Sequence, residues 1–255
     1  MNILIANDDG IQAEGIRALA EALAEKGNVY VVAPDTQRSA SSHALSIHGE
    51  MYAEEVTDFP GAERAWKLSG TPADCVKLGI NDLHERGIEI DIVYSGINHG
   101  GNLGSDTMYS GTVSAAAEGA FLGKPAVAVS VASHEPEHFD AACSFAERIL
   151  PFAMKAENQR KVISINTPDL PEKEIKGVTA ATLGVMQYEE SFNVVEKTQN
   201  SVTYRYSGKP MDSPDWNGDT DALLVKKGYA VISMIKYDLN DYQGLEEIKK
   251  WEIKL

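Results

Sequence analysis

The stretch MNILIANDDGIQAEG, residues 1–15, decides the predicted fold. Residues 3–6 form an apolar run that is typical of a strand covered on both faces, as in a parallel sheet. Two aspartates, Asp8 and Asp9, follow where that strand should end. Like charges a few ångströms apart repel each other by roughly 1 kcal/mol or more, depending on the local dielectric. The pair therefore requires either the hydration of a loop or a bound cation.

The composition bounds the class of protein. The chain has 255 residues, of which 43% are hydrophobic and 24% charged, as expected of one large α/β domain or of one domain with an appendage. Its formal net charge of −15 argues against a nonspecific polynucleotide binder, because nucleic-acid backbones are anionic. The cysteines, Cys75 and Cys143, stand far apart, which favours reduced thiols and a cytoplasmic location. No apolar run approaches membrane-spanning length, so no membrane partner is expected.

Strand and helix patterns alternate through the first two thirds of the chain. Residues 29–34, VYVVAP, read as a second strand. The stretch after Ser69 has clear start and stop signals of a helix, with Thr71 as N-cap, Pro72 at the first helical position and Gly87 after the end. This βαβα order predicts a parallel sheet with helices on both faces.

The pattern changes from about Gln187. Residues 191–210, SFNVVEKTQNSVTYRYSGKP, have a β-type composition around polar turn residues and predict a hairpin. An extended hairpin outside a sheet is often an arm for a neighbouring subunit. We therefore divide the chain into a Rossmann-like α/β domain, residues 1–186, and a hairpin arm with C-terminal extension, residues 187–255, used in oligomerisation.

Three polar clusters follow predicted strands, at residues 7–10, 38–42 and 95–106. Ligands of a doubly wound sheet bind beyond the carboxyl ends of its strands, so these clusters should meet at one edge. Asp8 and Asp9 can supply the charge of a hard-cation site, with Asn98 and a serine of residues 39–42 as neutral oxygen ligands. The alternative is that Asp9 caps the following helix while Asp8 is solvated.

A second candidate site is the start of the small-residue helix in YSGTVSAAAEG, residues 109–119. Ser110, Gly111 and Thr112 lie at its N-terminus, where free backbone N–H groups and the helix dipole attract an anion. Gly111 allows a phosphate to approach the backbone closely, and ordinary N-capping is the alternative. The glycine-rich loop before it matches neither a Walker A loop nor the dinucleotide fingerprint. His99, within that loop, is expected to be a surface histidine, and help with proton transfer is the alternative.

Several long motifs occur in register over nearly the whole chain, and together they resemble the SurE family of survival-protein nucleotidases. They are IANDDG at 5–10, APDTQRSASSHALS at 33–46, SGTPADCV at 69–76, VYSGINHGGNLGSDTMYSGTVSAAAEG at 93–119 and GYAVISM at 228–234.

The resemblance implies a fold and an activity. The fold is a Rossmann-like three-layer α/β/α domain with a mostly parallel sheet, plus a C-terminal β-hairpin arm that is exchanged between subunits of a homodimer or homotetramer. The activity is metal-dependent hydrolysis of nucleoside 5′- and 3′-monophosphates, with exopolyphosphatase activity in addition. One Mg²⁺ or Mn²⁺ ion is expected at four ligands, Asp8, Asp9, Ser39 and Asn98.

The resemblance points to direct attack of water on the phosphorus, whereas residue type alone also allows a covalent aspartyl-phosphate. Asp8 lies beside the expected ion and is our candidate to orient or deprotonate the water. We expect the phosphate to contact Asn102 of the glycine-rich loop and the helix start formed by Ser110, Gly111 and Thr112. Asp106 is expected to brace the loop, with proton donation as the alternative. One departure is Ala40, where family members commonly have a glycine whose backbone freedom shapes the serine loop.

Three rival functions remain. A receiver-type signalling module also binds Mg²⁺ through an acidic pair, but it is about half this length. A nucleotide or phosphate sensor of the same fold would bind without turnover. A sugar-nucleotide transferase would carry its acidic pair after an internal strand rather than after the first.

Overall fold

The computed structural model describes residues 1–156, 160–211 and 219–251. Its strands are β1 (Asn2–Ala6), β2 (Asn28–Pro34), β3 (Ala53–Val56), β4 (Arg64–Leu68), β5 (Ile92–His99), β6 (Ala126–Val131), β7 (Lys161–Thr167), β8 (Val178–Ala180), β9 (Gln187–Lys197), β10 (Val202–Met211) and β11 (Ala230–Lys236). Its α-helices are α1 (Glu14–Ala24), α2 (Pro72–Glu85), α3 (Gly111–Phe121), α4 (Asp140–Ala153), α5 (Asp221–Lys226) and α6 (Tyr242–Ile248). No helix among the described residues is both long and apolar enough to cross a bilayer.

Nine strands form one mixed sheet in the order β3-β4-β2-β1-β5-β6-β7-β11-β8. In this order, all neighbouring strands from β4 to β7 pair in parallel. The antiparallel pairs lie towards the two ends, where β3 pairs with β4 and β11 pairs with β7. The prediction of a mostly parallel sheet is confirmed.

Helices cover both faces of this sheet and complete the three layers. On one face α1 and α4 bury apolar side chains such as Leu19 and Phe145 in the largest core cluster. On the other face α2 packs through Val76 and α3 through Val113. Residues 3–6 of β1 are completely buried between the layers, as their uninterrupted apolar character predicts.

The predicted start and end signals of α2 are confirmed. The Thr71 side chain accepts a hydrogen bond from the Asp74 backbone N–H, and the Asp74 carboxylate accepts one from the Thr71 N–H. This reciprocal pair is a capping box, and Pro72 occupies the first turn. Gly87 follows the end of the helix with a φ of 78°, a left-handed conformation that favours glycine.

A long hairpin of β9 and β10 stands apart as a separate two-stranded antiparallel sheet. The predicted hairpin is confirmed. After it, β11 returns to the main sheet and lies between β7 and β8. The division of the chain at residue 187 stays a prediction, and residues 212–218 and 252–255 of that segment lie outside the described residues.

The central strands β1 and β5 create the crevice in which a site can form. They are neighbours, yet the chain leaves β1 towards β2 on one side and leaves β5 towards β6 on the other. The connecting helices α1 and α3 therefore lie on opposite faces and diverge beyond the carboxyl ends of the two strands. Ligands of open α/β sheets bind at such a switch point.

Candidate active site

A tight turn after β1 presents the acidic pair at this crevice. The side chain of Asn7 closes the turn, because its Nδ2 donates to the Gly10 carbonyl at 2.9 Å and its Oδ1 accepts from the Gly10 N–H at 3.2 Å. Gly10 has a φ of 96°, which a residue with a side chain adopts only with strain. Asp8 and Asp9 consequently leave the sheet together at the end of the strand.

Asp8 is buried and is bound to the start of α3. The Thr112 hydroxyl donates to its Oδ1 at 2.5 Å and lies 3.4 Å from Oδ1 of Asn98, at the end of β5. The pKa of Asp8 is raised to about 6, chiefly by burial and in part by the negative charge of Asp9, against the opposing hydrogen bonds from Thr112. The structure thus brings together Asp8, Asn98 and Thr112, which the sequence places in three separate motifs.

Asp9 lies beside Asp8 but has different partners. Its Oδ2 accepts the His99 backbone N–H at 3.0 Å, and Gln37 Nε2 lies 3.4 Å from its Oδ1. Burial raises the pKa of Asp9 despite the hydrogen bond from His99. His99 is partly exposed, and its ring lies 5.5 Å from that of Phe139.

The N-terminus of α3 faces Asp8 directly. Ser110 is the N-cap residue, and its Oγ accepts the Val113 N–H at 3.0 Å. A methyl group built on Gly111 would lie 2.8 Å from Oδ2 of Asp8 and 2.9 Å from Oγ of Ser41. Only a glycine fits this approach without displacing its neighbours. That Ser110, Gly111 and Thr112 bind phosphate stays a prediction, and the Thr112 hydroxyl is already donated to Asp8.

The serine loop, residues 38–46, contacts both the turn with Asp8 and the residues just before α3. The Arg38 N–H donates to the Asp8 carbonyl at 2.7 Å, and the Ser42 N–H donates to the Tyr109 carbonyl at 3.0 Å. Ser39 is exposed on this loop, and its role as a metal ligand stays a prediction. Ala40 has a φ of 54°, so the alanine occupies a left-handed conformation that suits glycine. The buried Oγ of Ser41 has no hydrogen-bond partner among the described residues.

Hydrogen bonds with residues of β6 and β7 hold Asn102, which lies in the glycine-rich loop. Its backbone N–H donates to Oδ1 of Asn166 at 2.8 Å, and its Nδ2 donates to Oγ of Ser130 at 2.8 Å. Asn166 returns a hydrogen bond to the Asn102 carbonyl at 3.1 Å. Strands β6 and β7 therefore fix this residue, whose contact with phosphate stays a prediction.

The loop between β5 and α3 is also fastened to the C-terminal part of the chain. Asp106 accepts a hydrogen bond from the Tyr188 hydroxyl, and burial raises the pKa of Asp106. The fully buried Asp221 accepts the N–H of Gly104 at 2.7 Å and that of Gly184 at 2.9 Å. Sequence reasoning missed Tyr188 and Asp221, and no local motif marks either residue.

The donor set suits a hard divalent cation. Two carboxylates, Asp8 and Asp9, stand with the amide oxygen of Asn98 at the same strand ends, and such cations prefer oxygen ligands. A buried acid, Asp8, next to a partly buried one, Asp9, is also costly without a counter-charge. Within the described ranges, no group of three or more His, Cys, Asp or Glu side chains gathers as an ion site.

The fold and the site define a class of protein: a doubly wound α/β protein with an acidic pair and a helix N-terminus at its switch point. The family model of survival protein SurE matches residues 3–190. The chain belongs to the SurE family.

Individual relatives extend this likeness over the full length. The 5′-nucleotidase SurE of Pelotomaculum thermopropionicum is 42% identical over 255 residues, covering 98% of this chain and 95% of that protein. The 5′-nucleotidase SurE of Desulforudis audaxviator is 39% identical, covering 99% of this chain and 98% of that protein. The crystal structure of the SurE protein from Aquifex aeolicus matches with a TM-score of 0.82 at 32% identity, covering 98% of each chain.

Proposed function

We propose that this protein is a metal-dependent phosphomonoesterase that hydrolyses nucleoside 5′- and 3′-monophosphates to nucleoside and phosphate. The observation that carries the proposal is the bond that holds the Asp8 carboxylate against the N-terminus of α3 through Thr112. This bond joins Asp8, the candidate metal ligand and base, to the N-terminus of α3, the candidate phosphate-binding site. The relatives named 5′-nucleotidase support the substrate class.

Four residues would hold the ion, namely Asp8, Asp9, Ser39 and Asn98. One Mg²⁺ or Mn²⁺ bound there would supply Lewis-acid stabilisation of the charge on the phosphate. It would also offset the formal net charge of −15 that otherwise repels an anionic substrate.

The protein's own groups account for the remaining steps. The N-terminus of α3 binds the phosphate oxygens and holds the phosphorus in line with a water molecule near Asp8. The Asp8 carboxylate accepts a proton from that water as the new oxygen–phosphorus bond forms and the ester bond to the nucleoside breaks. In the metal-free protein burial raises the pKa of Asp8 to about 6, which makes its carboxylate a better proton acceptor than that of an ordinary aspartate. The nucleoside oxygen leaves with a proton taken from solvent.

We also propose that the hairpin is an oligomerisation arm in a homodimer or homotetramer. It exposes large apolar side chains in a segment that forms a sheet of its own, with 65% of Phe192, 57% of Tyr204 and 55% of Tyr206 accessible. Exposed apolar surface of this kind marks an interaction site. Deleting residues 191–207 should reduce the mass of the assembly in light scattering, and an unchanged mass would contradict this role.

The unpaired Cys75 and Cys143 fit a cytoplasmic location.

The decisive experiment measures phosphate release from 5′-AMP with Mn²⁺ or Mg²⁺, after chelation, and from the Asp8→Asn and Asp9→Asn variants. We expect release that requires the metal and falls at least a hundredfold in both variants while their thermal unfolding stays cooperative. Full activity of Asp9→Asn with unchanged metal dependence would contradict the site. Binding of 5′-AMP without release by the parent protein would indicate a sensor. Parallel assays with 3′-AMP and polyphosphate test the wider substrate range.

A further inference from the structure

A buried carboxylate on α3 joins three elements away from the metal and phosphate site. Glu118 is 4% exposed. Its Oε2 lies 2.9 Å from Nε2 of His43 in the serine loop, and its Oε1 lies 2.8 Å from Nζ of Lys77 on α2. We call these three residues the Glu118 cluster. A buried carboxylate is stable only with such partners, so the cluster fixes the position of the serine loop on α3.

The His43 ring is also held by aromatic packing. It stacks on Phe121 with ring centroids 5.5 Å apart at an angle of 21°. Tyr237, after β11, meets the same ring edge-on at 6.4 Å and 84°. The imidazole is therefore fixed in orientation as well as in distance from Glu118.

The serine loop needs such an anchor because its backbone is strained. Ala40 and Ser42 both have left-handed φ values, 54° and 52°. Residues other than glycine persist in this conformation only where the surroundings impose it. His43 follows directly, and the loop reaches Asp8 and the start of α3 through Arg38 and Ser42.

We propose that His43 is a positioning residue of the phosphatase site. Through Glu118 it ties the serine loop to the same helix whose N-terminus faces Asp8, and so holds Ser39 and Ser41 at the distance that the ion and the phosphate require. Glu118 lies seven residues beyond Gly111, about 10 Å along the helix, so His43 acts without touching the substrate. This inference rests on the proposed function.

Three variants test the contact between His43 and Glu118. His43→Phe keeps an aromatic ring on Phe121 but removes the nitrogen that binds Glu118. His43→Gln restores a nitrogen donor at similar reach. Lys77→Met is the matched control, since it removes the other partner of Glu118 and leaves the serine loop attached. For each protein we would measure thermal unfolding, amide hydrogen exchange of residues 39–46, Mn²⁺ affinity by electron paramagnetic resonance of the free ion, and KM and kcat for 5′-AMP.

In His43→Phe we expect faster exchange in residues 39–46 and a Mn²⁺ affinity lower by about tenfold, the size of effect typical of one lost hydrogen bond to a charged group. His43→Gln should recover both quantities, and Lys77→Met should leave both unchanged. Exchange as slow in His43→Phe as in the parent would overturn the inference. Faster exchange with unchanged Mn²⁺ affinity and KM would overturn the positioning role. A parent protein that binds no Mn²⁺ would contradict the proposed function instead, and the exchange of residues 39–46 would then decide whether His43 anchors the loop.

Discussion

The Thr112 hydroxyl donates a hydrogen bond of 2.5 Å to Asp8 Oδ1, across 104 residues of chain. The bond joins the end of the first strand to the first turn of α3 and leaves Oδ2 of Asp8 facing Gly111. A neutral hydroxyl orients the carboxylate without cancelling its charge. The aspartate therefore stays available both to a cation and to water.

Removing this hydroxyl should impair catalysis more than folding. In Thr112→Val the side chain keeps its shape, but Asp8 loses the hydrogen bond that favours its ionised form, so the pKa of Asp8 should rise above its value of about 6. We expect kcat/KM for 5′-AMP to fall at least tenfold at neutral pH and the acidic limb of its pH profile to move to higher pH. Thr112→Ser, which retains the hydroxyl, is the control. An unshifted pH profile in Thr112→Val would show that the bond does not tune Asp8.

The stability of the metal-free protein should depend on Asp8 in a defined pH range. The folded pKa of Asp8, about 6, lies above the value of 3.8 for the free side chain, so the folded protein binds the proton more tightly between these values. Stability from this group is fully present below pH 3.8 and is lost as the pH rises through about 6. The difference of about 2 pKa units corresponds to roughly 3 kcal/mol.

Asp8→Asn removes this titration. In chelator, the free energy of unfolding of the variant should exceed that of the parent above pH 6, and the difference should shrink below pH 4. Urea titrations of both proteins from pH 3 to pH 8 measure it. A difference that does not vary with pH would mean that Asp8 is not the group responsible.

The contact between α3 and Asp8 should tolerate no side chain at Gly111. In Gly111→Ala the added methyl group would lie 2.8 Å from Asp8 Oδ2, so the helix or the carboxylate must move. We expect activity to fall about a hundredfold and Mn²⁺ affinity to weaken, because a misplacement of 1 Å in a site of this kind costs about that factor. Thermal unfolding separates this effect from a general loss of structure. Parental activity in Gly111→Ala would show that the helix start lies further from Asp8.

The alanine that departs from the family pattern should limit stability. Ala40→Gly removes a left-handed non-glycine residue and should raise the free energy of unfolding by up to about 1 kcal/mol. Ala44→Gly, at an exposed position four residues later in the same loop, has no such strain to relieve and should lower it by roughly 0.5–1 kcal/mol. Urea denaturation of the two variants gives the comparison. Equal losses in both would mean that Ala40 is not strained.

Much of the architecture could be predicted because its causes are local. The uninterrupted apolar run of residues 3–6 indicates a central parallel strand, and the Thr71 capping box fixes the start of α2. The meeting of Asp8 with Asn98 and Thr112 follows from one topological rule about strand ends.

What escaped prediction depends on partners far apart in the chain. Asp221 binds Gly104 across 117 residues, and His43 binds Glu118 across 75. Neither contact has a periodicity or a motif, because its geometry arises only when the sheet has brought remote segments together. The hydroxyl of Thr112 was expected to face a phosphate, whereas the structure directs it to Asp8, a choice that residue type alone does not decide.

The return of β11 to the main sheet bears on how the protein is made. Asp221 and β11 are translated after nearly all of the residues that form the candidate site, yet Asp221 holds the loop at Gly104 and β11 completes the sheet beside β7. A nascent chain that ends before them carries Asp8, Asn98 and Thr112 but lacks the bond that fixes the loop between β5 and α3. The candidate site with this loop held in place therefore requires a chain translated through Asp221 and β11, and not its N-terminal portion alone.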